Sequence, residues 1–362
     1  MSPTHSRPDN AARIEMHRLF WERGSQPWPI AAFRIEPHQF TAFHYQPGET
    51  LLKTHKVITP DLLEVEAYLS DYERMFQDAE ALGQDAFWTA DPFTAIPWIE
   101  AILGCRVTAT DSSFVSEPCM KSPEEMDRIK IDPDNPWLAK YLEFTDMLVE
   151  AGRGRFPVGQ PILRGPSDVA SALLGQTDMI LALYDEPEIM KEFLLRTGTA
   201  LARLTEIQAD RIPPFHGGSA LGNYHVYCPG KGCWYQEDAS ALMSPELYRQ
   251  FLREPERIIC SGYDQTAIHL HPTSFFIVDD LLENDWLKAI EVNKDTGGPT
   301  IEETIPVFKK ILTRKSLIIQ GIIDMDDLRC LQANLPPDGL FIQIVVPSRD
   351  EAGEMLDFIR AW

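Results

Sequence analysis

Gln265-Thr-Ala-Ile-His-Leu-His-Pro-Thr-Ser274 is a short apolar run that closes on a proline and carries two histidines two residues apart. A strand alternates its side chains with period two, so His269 and His271 leave on one face while Ile268 and Leu270 leave on the other. Paired imidazoles at a strand end are candidates for binding a metal or polarising a substrate, and a third and fourth ligand must come from elsewhere in the chain. The alternative is one structural histidine bonded to a backbone carbonyl beside one solvated histidine.

Seven further runs of strand composition flank this one, and most are separated by segments with helical period. The eight span approximately 29–35, 86–90, 158–163, 219–227, 266–271, 287–293, 316–322 and 340–345. Strands alternating with helical crossovers predict an α/β fold, and eight of them predict a (β/α)8 TIM barrel. Helix starts are marked by prolines in the first turn after Thr59, Glu186 and Ser244. The expected organisation is a loose N-terminal extension over 1–25 and one barrel domain over 26–362.

Composition narrows the functional classes. A formal net charge of -22 with no Lys/Arg cluster argues against nucleic acid as a partner. The apolar stretches are far shorter than a membrane span, and the first residues lack the pattern of a secretory signal, so a soluble cytoplasmic protein is expected. The six cysteines are scattered through 362 residues, which predicts reduced thiols rather than a disulfide framework. Cys228-Pro-Gly-Lys-Gly-Cys233 is the one close pair; it reads as a flexible turn, or as a zinc clip if His225 and His216 join it.

In a barrel the site lies at the C-terminal strand ends, so the polar residues there are the candidates. They are Arg34 on the first run, Asp91 after the second, Gln160 and Arg164 on the third, Glu291 and Asn293 on the sixth, Gln320 on the seventh and Gln343 on the eighth. Polar side chains inside apolar strands are costly unless bonded, so together they suggest a lined pocket for a small molecule. Glu237 and Asp238, placed in a strand-to-helix loop, are candidates for a third metal ligand or a general base near the histidines. The alternative for that pair is a solvated acidic loop before a capped helix.

The chain resembles the uroporphyrinogen decarboxylase superfamily from about Phe87 onward. The resemblance rests on Pro97-Trp-Ile-Glu-Ala-Ile-Leu-Gly-Cys105, on Gly165-Pro-Ser-Asp-Val-Ala-Ser-Ala-Leu-Leu-Gly175 followed by Asp185-Glu-Pro-Glu188, on Leu242-Met-Ser-Pro-Glu-Leu-Tyr248 and on Ile268-His-Leu-His271. It implies a barrel that is either a decarboxylase or a zinc-dependent methyltransferase working with a corrinoid protein or a folate, and it suggests a homodimer. The true decarboxylases have an arginine-rich first-strand segment and a final-strand histidine, where this chain has only Arg34 and no histidine. The methyltransferases have His-x-Cys on the fifth strand and a cysteine ending the last; here His271 stands for the first cysteine and Val345 or Val346 for the second.

The resulting expectation is a metal-dependent, methyltransferase-like enzyme with His269, His271 and Asp238 in the chemistry. His269, His271, Glu237 and Glu291 are the expected metal ligands. Arg34, Asp91, Gln160, Arg164, Asn293, Gln320 and Gln343 are expected to bind substrate. A decarboxylase and a non-catalytic binding barrel are the alternatives.

Overall fold

The computed structural model describes residues 8–36 and 40–362. Its strands, in chain order, are β1 (Ile30–Ile35), β2 (Val57–Ile58), β3 (Arg106–Ala109), β4 (Phe114–Glu117), β5 (Ser219–Leu221), β6 (Val226–Cys228), β7 (Gly232–Gln236), β8 (Gln265–Leu270), β9 (Ala289–Lys294), β10 (Ser316–Gly321) and β11 (Leu340–Val346). Six of them form one parallel sheet in the order β1-β11-β10-β9-β8-β7. The connections on that sheet are helical, as parallel pairing requires. β2, β3 and β4 form a small antiparallel sheet, and β5 and β6 an antiparallel hairpin.

Five of the eight expected runs are strands of the main sheet. The second and third contribute single parallel bridges, Ala90 with Val158 and Arg164 with Gln236. The backbone amides of Asp85 and Ala86 donate to the Ala31 carbonyl, each at 3.2 Å, so the second run also touches β1. Gly165 permits the contact between the third run and β7. Its amide donates to the Gln236 carbonyl at 2.7 Å, and a Cβ there would stand 2.2 Å from that oxygen.

The fourth run needs correcting. Residues 219–227 do not join the sheet; they hold β5, a turn and the start of β6, and the sheet strand is β7, which the sequence reading placed in a turn and loop. Cys233, Trp234 and Tyr235 have strand composition, but glycines on either side of Lys231 masked them.

Period-two alternation sorts the sheet into two faces. Ile30, Ala32, Trp234, Ala267, Ala289, Ile318 and Phe341 belong to one buried cluster with Ala86 of the second run, and Ile162 of the third packs against it. Their neighbours Phe33, Tyr235, Ile268, Ile290, Leu317 and Ile342 belong to the larger cluster that includes the helices. The first cluster also takes Met16 and Phe20 from the helix Asn10–Glu22. That helix departs from the expected loose extension: Asp9 caps it, accepting from the Ala12 amide at 2.8 Å, and Phe20 meets Phe341 ring to ring at 5.9 Å. Burial beside Arg13 pushes His17 down to about 4, so it packs as a neutral ring. Residues 1–7 lie outside the described residues.

A buried ion pair ties the C-terminal helix Arg349–Arg360 to the second run. Arg360 donates to Asp85 Oδ1 from Nη2 at 2.7 Å and from Nε at 3.1 Å, while Trp28 Nε1 and the Ala31 amide donate to Oδ2 at 3.2 Å each. Among the described residues no helix is long and apolar enough to cross a membrane.

Candidate metal centre

Register assembles the site. Arg164 lies opposite Gln236, Gln236 opposite His269, and His269 opposite Glu291, so four neighbouring segments present polar side chains in one row. Each of these lies two residues beyond an apolar member of the first cluster, Ile162, Trp234, Ala267 and Ala289 respectively. The row is therefore the next step of the same alternation towards the strand ends.

Three groups converge above this row. His269 Nε2 and His271 Nε2 are 3.1 Å apart, and Asp238 Oδ1 lies 3.7 Å from the first and 3.8 Å from the second. Ligands bound tetrahedrally at about 2.0–2.1 Å are separated by about 3.4 Å, so this triangle matches the edge of a coordination sphere. Among the described residues this is the one group of three or more His, Cys, Asp or Glu side chains with ligand atoms so gathered. Asp238 Oδ1 has no hydrogen-bond partner although it is buried, which fits an atom that faces an ion.

The surrounding groups fix the three candidate ligands. His269 Nδ1 bonds to Glu291 Oε2, with the Tyr224 hydroxyl at 2.9 Å from the same nitrogen. His271 Nδ1 is 2.6 Å from Asp295 Oδ1, which also accepts from Asn293 Nδ2 at 2.6 Å. Each imidazole thus gives its Nδ1 proton to a carboxylate and turns Nε2 to the common point, the arrangement that orients metal-bound histidines. Gln236 Nε2 donates to Asp238 Oδ2 at 2.9 Å. The Asp168 carboxylate accepts from the Asp238 amide at 3.1 Å and the Ala239 amide at 2.6 Å. It thereby pins the turn that carries Asp238. Burial, with Asp238 nearby, pushes Asp168 up to about 7.

Burial alone lowers the pKa of His269, but the Glu291 carboxylate outweighs it and, with Asp238 and Asp168, raises the ring to about 9. A divalent ion must displace that proton. Its apparent affinity is therefore expected to fall about tenfold for each pH unit below about 9 and to level off above it. Competition with a chromophoric chelator across that range measures this, and a flat profile would contradict it. Glu291→Gln keeps the shape but removes the charge behind His269; a loss of metal affinity of about 10–100-fold is expected, with dissociation constants by titration as the readout.

The triad opens onto a cavity of about 330 Å³ lined by Arg164, Gln236, Asn293, Thr94, Pro97 and Glu100, among others, with Ser112, Ser113 and Phe114 forming part of its wall. Arg164 Nη1 pairs with the buried Glu100 carboxylate at 3.0 Å. Arg164 and Asn293 therefore stand where substrate residues were expected.

Other expectations are redistributed. Glu237 is not a ligand: its Oε2 accepts from the Ser167 amide at 2.9 Å and from the Ser167 hydroxyl, and burial with Glu256 and Asp168 nearby holds it well above the usual carboxylate range. The Glu237 side chain is turned to Ser167, while the Asp238 carboxylate faces both histidines. Glu291 stands behind His269 rather than at the common point. Gln160 is structural, its Nε2 donating to the Trp234 carbonyl at 2.6 Å. Gln343 Nε2 donates to the Asn223 carbonyl at 3.1 Å, and neither it nor Gln320 lines the cavity.

Arg34 and Asp91 line a separate cavity of about 40 Å³ that shares Thr41 and Thr94 with the first. Arg34 Nη2 donates to the Asn223 carbonyl at 2.5 Å. Burial pushes Asp91 up to about 8 although Arg34 opposes the shift. The alternative zinc clip is not assembled. His225 Nδ1 accepts from the Thr89 amide at 3.0 Å, while Cys233 Sγ is directed at the Ile259 carbonyl at 3.7 Å.

Asp168, Asp295, Gln236 and Tyr224 were not singled out by the sequence. Asp295 had a signal, since it continues the series Glu291, Asn293 by two. Asp168 lies in the Gly165-Pro-Ser-Asp stretch but 70 residues from the amide it holds.

No protein-family model matches the chain, and no curated protein matches it. Among solved structures it is similar to a methyltransferase from Methanosarcina mazei, at 14% sequence identity over 96% of each chain with a TM-score of 0.61. At that identity the likeness concerns the fold.

Proposed function

We propose that the chain is a (β/α)8 barrel of the uroporphyrinogen decarboxylase superfamily, from its methyltransferase-like branch, that transfers a methyl group to or from a small metabolite with a divalent metal. The barrel reading is supported by the buried cluster to which seven of the eight segments contribute, with Ile162 of the remaining one, the third run, packed against it. The observation that carries the functional reading is the convergence of Asp238, His269 and His271 with a carboxylate behind each imidazole. A fold neighbour that is itself a methyltransferase accords with it.

His269, His271 and Asp238 would hold the ion, and zinc suits two imidazoles and a carboxylate. When bound, it supplies Lewis acidity to a donor or acceptor atom of the substrate. Glu291 and Asp295 keep the imidazoles oriented, Asp168 keeps the ligand turn in place, and Arg164 and Asn293 position the substrate within the cavity. A corrinoid protein or a folate is the methyl partner in this reading, and a second copy of the chain is a further partner.

The test is to load the protein with zinc and supply methylcobalamin with a thiol acceptor, following the cobalamin spectrum. Metal-dependent demethylation of the corrinoid supports the proposal; no turnover, with methyltetrahydrofolate equally inert, overturns it. A decarboxylase is favoured by one observation, the buried acid Asp91 facing the same small cavity as Arg34. There the guanidinium would hold a carboxylate and Asp91 would deliver a proton to the carbanion left by carbon dioxide. Metal-independent release of carbon dioxide from a carboxylated ligand would select that reading.

A further inference from the structure

Cys105 and Cys119 take no part in the metal centre, yet their Sγ atoms lie 3.5 Å apart, and neither is in a disulfide. Cys105 immediately precedes β3, and Cys119 follows β4 by one residue, so the pair sits at the base of the β3–β4 hairpin. The other end of that hairpin, at Ser112, Ser113 and Phe114, is a wall of the metal-site cavity. Both cysteines rest on the C-terminal end of the helix Pro166–Leu174: the Cys119 amide donates to the Leu173 carbonyl at 3.0 Å, and Cys105 Sγ is directed at the Ala172 carbonyl at 3.6 Å. The first turn of the same helix contains Asp168, which pins the Asp238 turn.

We propose that Cys105 and Cys119 are a site of oxidation by hydroperoxides, at which a reversible disulfide clamps the base of the hairpin that walls the metal pocket. The two thiols differ in the way this chemistry requires. Cys119 is partly exposed while Cys105 is buried. The Cys105 S–H and the Arg128 guanidinium hold the Cys119 thiol down to about 7 against its own burial, whereas the hydrogen bond to Cys119 and burial raise Cys105. Cys119 is thus the thiolate that reacts first, and Cys105 the resolving thiol beneath it.

The step balances with one hydroperoxide. The Cys119 thiolate attacks a peroxide oxygen, the O–O bond breaks, and the sulfur becomes a sulfenic acid as hydroxide leaves. Cys105 then attacks that sulfur, its proton and the departing hydroxide form water, and the S–S bond closes. Two thiols lose two electrons and, with hydrogen peroxide, two waters form. The link joins residues 14 apart and fixes both strand ends of the hairpin at once.

The test uses the full chain treated with hydrogen peroxide, then alkylated and measured by intact mass and peptide mapping. The expected result is two fewer alkylated thiols, a cross-linked peptide joining Cys105 to Cys119, and full reversal by dithiothreitol. Cys105→Ser should instead leave a sulfenic acid on Cys119 that dimedone traps. Hydrogen exchange over 106–117 should slow several-fold in the oxidised wild type and remain unchanged in peroxide-treated Cys119→Ser. A cross-link through other cysteines, oxidation of Cys119 beyond the disulfide in the wild type, or identical hairpin exchange in both redox states overturns the proposal.

Discussion

Alanine at His269, His271 or Asp238 is expected to strip the ion from the purified protein, each alone lowering metal affinity by more than about a hundredfold, the upper range for losing an outer partner only. The reason is the small donor set. Three groups meet at one point, and three other carboxylates of this region are committed elsewhere: Glu291 to His269 Nδ1, Asp295 to His271 Nδ1 and Glu237 to Ser167. None can swing in without breaking its own bond. Metal content by plasma mass spectrometry on tag-free protein, wild type beside the three variants, is the measurement. Near-stoichiometric metal in the wild type and its loss in all three is expected. Glu237→Gln serves as a control that keeps the ion, and wild-type occupancy in any of the three variants would falsify the assignment.

Asp85→Ala is expected to cost about 3–5 kcal/mol of folding stability, the range for removing one partner of a buried ion pair. Asp85 and Arg360 are both buried, and the substitution removes the carboxylate that accepts from the guanidinium, Trp28 Nε1 and the Ala31 amide, leaving the buried charge with the neutral Gly83 carbonyl as an acceptor. Asp85→Ala combined with Arg360→Met should recover part of the loss, because it removes the uncompensated charge. Chemical denaturation followed by tryptophan fluorescence gives the values; a single-variant loss below about 1 kcal/mol would show that the pair contributes little.

Much of this site was legible from alternation. His269, Glu291, Asn293 and Arg164 fall on one face because a strand repeats every two residues, and a local pattern carries that information. Asp238 was legible as an acidic residue after a strand, although the strand itself, β7, was assigned to a loop because glycines interrupt its surroundings. Choosing Asp238 over Glu237 depends on how the turn is held, and Asp168, which holds it, comes from a different segment of the chain. The roles of Gln160 and Gln343 were misread for a similar reason: each is bonded to a backbone carbonyl supplied by a distant segment, Trp234 and Asn223. The N-terminal helix was missed because half of its buried face is polar, Arg13 and His17 beside Met16 and Phe20, and its burial depends on a surface formed only when the sheet assembles.

That helix also bears on molecular traffic. Met16 and Phe20 join Trp234, Phe341 and the small alanines between them in one apolar layer, two residues before the row that carries His269. A reactant that meets the triad does so in the cavity lined by Arg164, Ser113 and Phe114. Two reactants brought to the triad would therefore share that one cavity, in turn or side by side.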